Sequence, residues 1–518
     1  MEKRLFSLVL ALALCMGLTV PAMAYGDTGK AGNTNPVSSG FGHAGIIDTN
    51  GSLWMWGYNN DGQVGNGRKG DSTYQTQGYT YPCQTTPVKV LDDVASFSCG
   101  ANFTAAVKTD GSLWVWGSNQ NNQLGIADAG DFTYKETMSM QGHEMVRGTY
   151  LCQTVPMKIM DGVMAVSCGT SHAAAIKTDG TVWTWGTNSD GRLGNGTLTQ
   201  SRIPVQVLDN AVAVSCGTSH TAAIKNDGSL WMWGDNSNGQ LGNGGVGNTT
   251  KDIYKNPIQT VPVKVMDNAV TVSCGSDMTA AVKTDGTLWT WGNESTGNLG
   301  NGTFDSGRVK SPVQIDTNIA SVSASTGSSG AITQNGILKM WGDDTYGALG
   351  TGLTGIPYYW ENGGVQGALL GYYVDRPTSV MEDVAAVSGG NIMVIVKKDG
   401  TVWVGGMNTA EVHTIEHLGA TFLRNHDKWA QKVVYFGPMG CRTGFYLIVS
   451  GDYESDYMIP LLREMFEFIR SYEGEVPGAS PKECGNYLDL NLPMAKYLAE
   501  KYLDQVLNVI TPDRLKYK

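Results

Sequence analysis

Up to residue 406, apolar and polar residues alternate with a period of two over short runs, and each run stops at a turn bearing glycine, asparagine or aspartate. The stretch around Ala211 is representative. Ala211–Cys216 alternates toward a buried strand and Ser219–Lys225 forms a second. Asn226-Asp227-Gly228 is a tight turn in which glycine supplies positive φ. Leu230–Trp233 is a third strand, with its two indoles expected on opposite faces of the sheet. Asp235–Gly244 is a polar, glycine-rich loop, and Thr260–Val265 is a short outer strand whose proline suits an edge. The third-strand phrase, Asp/Asn-Gly-x-Leu/Val-Trp-x-Trp-Gly in outline, recurs with its first glycine at Gly51, Gly111, Gly180, Gly228, Gly286, Gly336 and Gly400. Four strands per unit at intervals of about 50 to 70 residues predict a β-propeller, because neighbouring sheets must cover each other's faces. A linear β-solenoid would suit shorter, more uniform repeats. Outer strands follow six of the phrases. The seventh has Gly405 in place of its second tryptophan and no outer strand after it. The expectation is an all-β seven-bladed propeller with an incomplete last blade, followed by a small α+β domain.

Beyond Gly406 the period changes. Glu411–Asn425 has helical spacing, and Tyr457–Tyr472 and Pro493–Leu507 are amphipathic helices suited to packing on a sheet. Composition changes at the same place. Sixty of the 68 glycines precede Met407, whereas the last 112 residues hold 15 of the 47 acidic and 12 of the 36 basic side chains. The expected division is residues 1–24, residues 37–406 and residues 407–518. Lys3 and Arg4, the apolar run Leu5–Val20 and Ala22-Met23-Ala24 read as a cleaved secretory signal. Export is therefore expected, and no later segment is apolar enough to span a bilayer. The net charge of −11 and the lack of a basic cluster exclude a nucleic-acid-binding surface.

Most of the chemistry-bearing residues lie in the last part. His413 and His417 are four apart and share a helical face, with Glu416 beside them. Two imidazoles so placed bind one divalent metal, with a carboxylate near enough to move protons. Inverted zinc peptidases use the same spacing, but Cys441 and Cys484 would then have no role. Cys441 sits at a glycine-flanked turn beside Arg442, a setting that favours the thiolate. A thiolate with two imidazoles suits zinc or ferrous iron and leaves a position open. In the repeats, His172 and His220 fill one slot and are expected to hydrogen-bond a neighbouring loop. Cys99, Cys168, Cys216 and Cys274 fill another as small buried residues. Cys83 and Cys152 share a third slot and could pair in an exported chain. The Asp/Asn-Gly loops lack calcium-ligand spacing and are read as turns.

Two resemblances follow. The repeated phrase, with Asn119–Gly125 and Asn236–Gly244 behind it, resembles the RCC1-type repeat family over roughly Val37 to Gly406. It implies seven blades and a protein-binding platform. From Met407 to about Ile510 the chain resembles the S-ribosylhomocysteine lyase (LuxS) family, on Met407–His426, on Gly437-Pro-Met-Gly-Cys-Arg-Thr-Gly-Phe-Tyr446 and on Glu483-Cys-Gly-Asn-Tyr487. That resemblance implies His413, His417 and Cys484 as ligands of iron(II), replaceable by zinc. It implies Glu416 and Cys441 as the acid–base pair, with Arg442 supporting Cys441 or the substrate. The implied reaction splits S-ribosyl-L-homocysteine into L-homocysteine and 4,5-dihydroxypentane-2,3-dione, the autoinducer-2 precursor of quorum sensing. The family is homodimeric and cytoplasmic, and begins with about fifty residues that the seventh repeat replaces here. An exported propeller carrying an inactive lyase remnant is the alternative reading.

Overall fold

The computed structural model describes residues 36–398 apart from short gaps in loops, the segments Ser7–Leu10, Leu18–Thr19 and Thr401–Gly405, and, in the C-terminal part, chiefly residues 409–438, Phe445–Val449 and residues 455–477. Contacts divide the chain into two units: residues 19–401, and residues 1–18 with 402–518.

The larger unit is an all-β propeller. Six blades each carry four antiparallel strands in sequence order from the axis outward, as in Ala211–Cys216, His220–Lys225, Leu230–Asp235 and Ile258–Met266. All six predicted outer strands are present. The first, second and sixth blades add a fifth, outermost strand: Ser72–Thr76, Phe132–Met140 and Ile356–Asn362. The turn into each new inner strand is left-handed at one residue, from Asp383 (φ 58°) to Gly162 (φ 68°). Aspartate, asparagine or glycine stands at each of these positions, the residue types that accept that conformation most readily. The seventh repeat supplies Val384–Ser388 and Met393–Lys397, paired antiparallel, and then Thr401–Gly405.

A circle of hydrogen bonds ties the inner strands together. The hydroxyls of Ser38, Ser98, Ser167, Ser215, Ser273 and Ser323 each accept the backbone N–H of the next inner strand, at Cys99, Cys168, Cys216, Cys274, Ala324 and Gly389 (2.8–2.9 Å). Ser388 accepts from Ser39 at 3.2 Å and closes the circle. The cysteines between these bonds are buried, and burial pushes the Cys99 and Cys216 thiols up to about 12. They pack as small, inert residues, as expected. Cys83 and Cys152, which could have paired, are not joined in a disulfide.

The cores lie between blades. Leu230 and Met232 of the fourth blade pack on Ala281, Trp289 and Trp291 of the fifth. This corrects the expectation for the indoles. Both tryptophans of a phrase face the preceding blade, because residues i and i+2 of a strand lie on one side. The second indole is fully buried at Trp116, Trp185, Trp233, Trp291 and Trp341. Its N–H donates to a carbonyl in the preceding blade's polar loop, such as Gln63 O (2.9 Å) for Trp116 or Arg192 O (2.9 Å) for Trp233. Trp56 is only half-buried, since the repeat before it in the ring has no polar loop.

The recurring histidine slot holds three residues rather than two. His43, His172 and His220 are buried, and each Nε2 lies 2.9 Å from a threonine hydroxyl of the next blade, at Thr104, Thr221 and Thr279. Those hydroxyls donate onward to the loop carbonyls of Gln63, Arg192 and Gln240. The histidines therefore reach the loop through one hydroxyl, a structural role close to the expected one. The Asp-Gly turns are also structural: Asp110, Asp179, Asp227 and Asp285 each accept the N–H and hydroxyl of the residue two positions on.

In the smaller unit, helix α1 (Thr409–Arg424) buries Ile415, Leu418 and Leu423. Helix α2 (Ser455–Ser471) buries Met458, Leu461, Leu462, Met465, Phe466 and Ile469, the stripe expected of an amphipathic helix. Both lie within two residues of their predicted bounds. The predicted helix Pro493–Leu507 falls almost wholly outside the described residues. Strands Val433–Pro438 and Phe445–Val449 pair antiparallel, and Ser7–Leu10 pairs on the other side of the latter.

Candidate active site

Helix α1 divides into two faces. Thr414, Ile415 and Leu418 are buried, which leaves Glu416 and His417 half-buried on the adjoining face. His413 occupies the helix position four residues before His417, one turn away. Ring contacts hold the helix against α2: Phe422 lies 5.4 Å from Phe468, centroid to centroid. His426 Nδ1 accepts the Lys428 N–H, so its Nε2 carries the proton donated to Glu464 (2.9 Å). The C-terminal end of α1 is thereby fixed on both sides.

His417 is the most informative residue of the site. Its Nδ1 lies 2.7 Å from the carbonyl oxygen of Pro477. A carbonyl only accepts, so Nδ1 bears the proton and Nε2 carries the lone pair. Orientation by a backbone carbonyl through the far nitrogen is the usual support for a metal-ligating imidazole. Thr421 also donates its hydroxyl to the His417 carbonyl, at 2.7 Å. Nothing in the sequence around Pro477 signals this partnership, which arises from residues sixty positions apart.

The remaining predicted residues are located less fully. Strands Val433–Pro438 and Phe445–Val449 are in register at Pro438 opposite Phe445, and the link between them carries Cys441 and Arg442. Both of those residues, and Cys484, lie outside the described residues. Among the described residues no cluster of three histidine, cysteine or acidic side chains could hold a metal ion. The donor set in hand is one oriented imidazole, one helix position for a second, and a neighbouring carboxylate. That set fits a divalent metal whose third ligand is supplied from elsewhere in the chain.

Comparison with known proteins gives two families. Residues 142–428 match the RCC1-like domain, and residues 50–107 match the regulator of chromosome condensation (RCC1) repeat. Residues 404–513 match S-ribosylhomocysteinase (LuxS). Over 111 residues the chain is 67% identical to the S-ribosylhomocysteine lyase of Clostridium acetobutylicum, covering 21% of this chain and 70% of that one. The corresponding lyases of Clostridium beijerinckii and Porphyromonas gingivalis strain W83 are 65% and 56% identical over the same shares. Among solved structures, yeast RCC1 (Prp20) bound to Kap60 superposes with a TM-score of 0.52 at 20% identity, covering 71% of this chain and 79% of that one. Human WBSCR16 superposes at 0.51 and 19%, covering 71% and 86%. These likenesses extend the fold assignment of the propeller alone.

Proposed function

Because the chain belongs to the S-ribosylhomocysteine lyase family through residues 404–513 and to the RCC1-like family through residues 142–428, we propose that it cleaves S-ribosyl-L-homocysteine at a site carried behind a protein-binding propeller. The C-terminal part is a carbon–sulfur lyase domain. The orientation of His417 by the Pro477 carbonyl is the observation that carries the site assignment.

In this reading His413, His417 and Cys484 hold one divalent ion, iron(II) or zinc, which when bound supplies Lewis-acid polarisation of the sugar carbonyl. Glu416 and Cys441 take a proton from the carbon beside that carbonyl and return one to the neighbouring position. Two such transfers move the carbonyl along the sugar chain. Removal of a further proton expels the L-homocysteine thiol by β-elimination and leaves 4,5-dihydroxypentane-2,3-dione. Arg442 holds Cys441 as the thiolate.

The rest of the reading concerns organisation. The propeller has seven blades, the last made by Val384–Ser388 and the strands after it. The division is residues 1–24 as a leader, 37–406 as propeller and 407–518 as lyase. The leader directs export, whereas the lyase domain alone would place the chain in the cytoplasm. The lyase part associates as a homodimer. The 30% of the relatives' length that this chain does not match favours the second reading, a propeller with an inactive remnant.

One assay separates the two. The purified full chain is loaded with iron(II) without oxygen and given S-ribosylhomocysteine, and free thiol is followed with a chromogenic disulfide. Thiol release that falls at least about a hundredfold in Cys441→Ala and Glu416→Gln supports the lyase. No release from metal-loaded chain establishes the remnant.

A further inference from the structure

The first two blades carry the same dipeptide, Gln77-Gly78 and Gln141-Gly142, between their two outermost strands, so the two hairpins can be compared position by position. In the first, Ser72–Thr76 has five residues and its last pair before the dipeptide is Thr76 opposite Tyr79. In the second, Phe132–Met140 has nine residues and the pairing continues to Met140 opposite His143. The added length holds Met138-Ser139-Met140 on one strand and His143-Glu144-Met145 on the other. Three of the chain's 21 methionines and one of its seven histidines therefore fall between residues 138 and 145. The shorter hairpin of the first blade has polar residues and tyrosine at the matching end, with no methionine or histidine.

The strand register puts these four residues on one face. Met138 lies opposite Met145 and Met140 opposite His143, while Ser139 opposite Glu144 belongs to the other face. Cross-strand partners share a face, as do residues two apart on one strand. Directly opposite positions have Cβ atoms about 5 Å apart, and successive positions on one face are about 7 Å apart along the strand. Methionine carries its sulfur on an unbranched, flexible chain. Three thioethers and one imidazole based on such a rectangle are close enough to meet at one ion. Filling a blade core does not account for them. Cys152–Met160 is the part of the longer strand that pairs with Leu113–Ser118, and its Met157 and Met160 pack on the core between blades. His143–Leu151 pairs with Phe132–Met140 alone among the described residues, so the methionine pairs stand on a two-stranded ribbon beyond that sheet.

We propose that the end of this hairpin binds copper(I) through Met138, Met140, Met145 and His143. Thioethers are soft donors that select monovalent copper, and imidazole also serves copper, whereas calcium, magnesium and manganese prefer oxygen. An apolar partner would need more of the same face than the hairpin offers. The next position inward on that face is Glu136, and Arg147 stands unmatched at the bulge beside it. The inference rests on the hairpin register and is independent of the lyase chemistry at His413, His417 and Cys484. Thiol release from S-ribosylhomocysteine reads the one, and the methionine methyl groups read the other.

The test uses the full chain labelled with methyl-carbon-13 methionine. It is titrated with copper(I), kept reduced by ascorbate without oxygen, and separately with silver(I), a soft ion that undergoes no redox change. Three methyl signals are expected to move, assigned through Met138→Leu, Met140→Leu and Met145→Leu. The signals of the buried Met55, Met232 and Met340 stay in place and serve as references. Zinc(II) should leave all of them unmoved. A bicinchoninate chelator is then added until the moved signals return, which measures this site apart from any thiol. Each leucine substitution, which nearly conserves volume, and His143→Gln should weaken binding about tenfold. The triple leucine variant should bind one copper(I) fewer per chain at an unchanged melting temperature. The proposal is overturned if the three methyl signals do not move, if zinc(II) moves them equally, if none of the single substitutions weakens binding, or if the triple variant binds as much copper as the parent chain.

Discussion

At the residue scale the histidines show how one side chain serves two purposes. His417 is held by a carbonyl so that its far nitrogen carries the lone pair, whereas His43, His172 and His220 are held so that theirs is buried. Each of those three meets a threonine whose only hydrogen goes to a loop carbonyl, so the histidine must donate from Nε2 and its Nδ1 lone pair has no partner. Burial lowers the pKa of His43 to about 4 and of His220 to about 3, and drives His172 well below its usual value. In the unfolded chain all three titrate near 6.5. Between these limits the unfolded state binds more protons, so stability is full above about pH 6.5 and falls as the pH drops toward 4. Asp61 opposes this. Burial raises its pKa to about 6, so its contribution is lost as the pH rises through 6. Three histidines outweigh one aspartate, and the urea midpoint of the propeller is expected to fall between pH 6.5 and 4. The triple variant His43→Gln/His172→Gln/His220→Gln should flatten that slope.

At the element scale the second tryptophan of each phrase is the unit of cohesion. A fully buried indole also ties its strand to the preceding blade through its N–H. Trp233→Ala is expected to cost about 3–5 kcal/mol in urea denaturation, the range for large aromatic truncations. Trp56→Ala, at a half-buried position, should cost less than half as much. Helix α1 was legible in the sequence because its apolar spacing, unlike that of the short strands, spans four turns. The predicted opposite facing of the indoles conflicted with strand geometry, and the structure places both on one side. The third histidine slot, at His43, is obscured in the sequence because Phe41 and Gly42 replace the threonine and serine that precede His172 and His220.

At the scale of the whole molecule, two units with separate cores should unfold in separate transitions. Every proposed metal ligand lies between residues 413 and 484. Removing metal with a chelator is therefore expected to lower one calorimetric transition and leave the other in place, with His417→Ala mimicking the loss. The apolar N-terminal run has two mutually exclusive uses, since cleavage after Ala24 would also remove Ser7–Leu10 from its pairing with Phe445–Val449. On the proposed reading of residues 1–24 as a leader, N-terminal sequencing of protein recovered from the medium should begin at Tyr25. A chain starting there exposes the edge of Phe445–Val449 and should be more prone to associate through it.

Periodicity and turn chemistry by themselves determined the propeller, its outer strands and the helix that presents Glu416 and His417. Those features depend on neighbours in sequence, where the spacing of two or 3.6 residues is written directly. Only the tertiary structure decided which serine meets which strand around the axis, that Pro477 sets the His417 tautomer, and that the Tyr58 ring lies against Gly42. Such contacts join residues from sixteen to several hundred positions apart, and local pattern carries no record of which distant groups closure of the chain will bring within hydrogen-bonding reach.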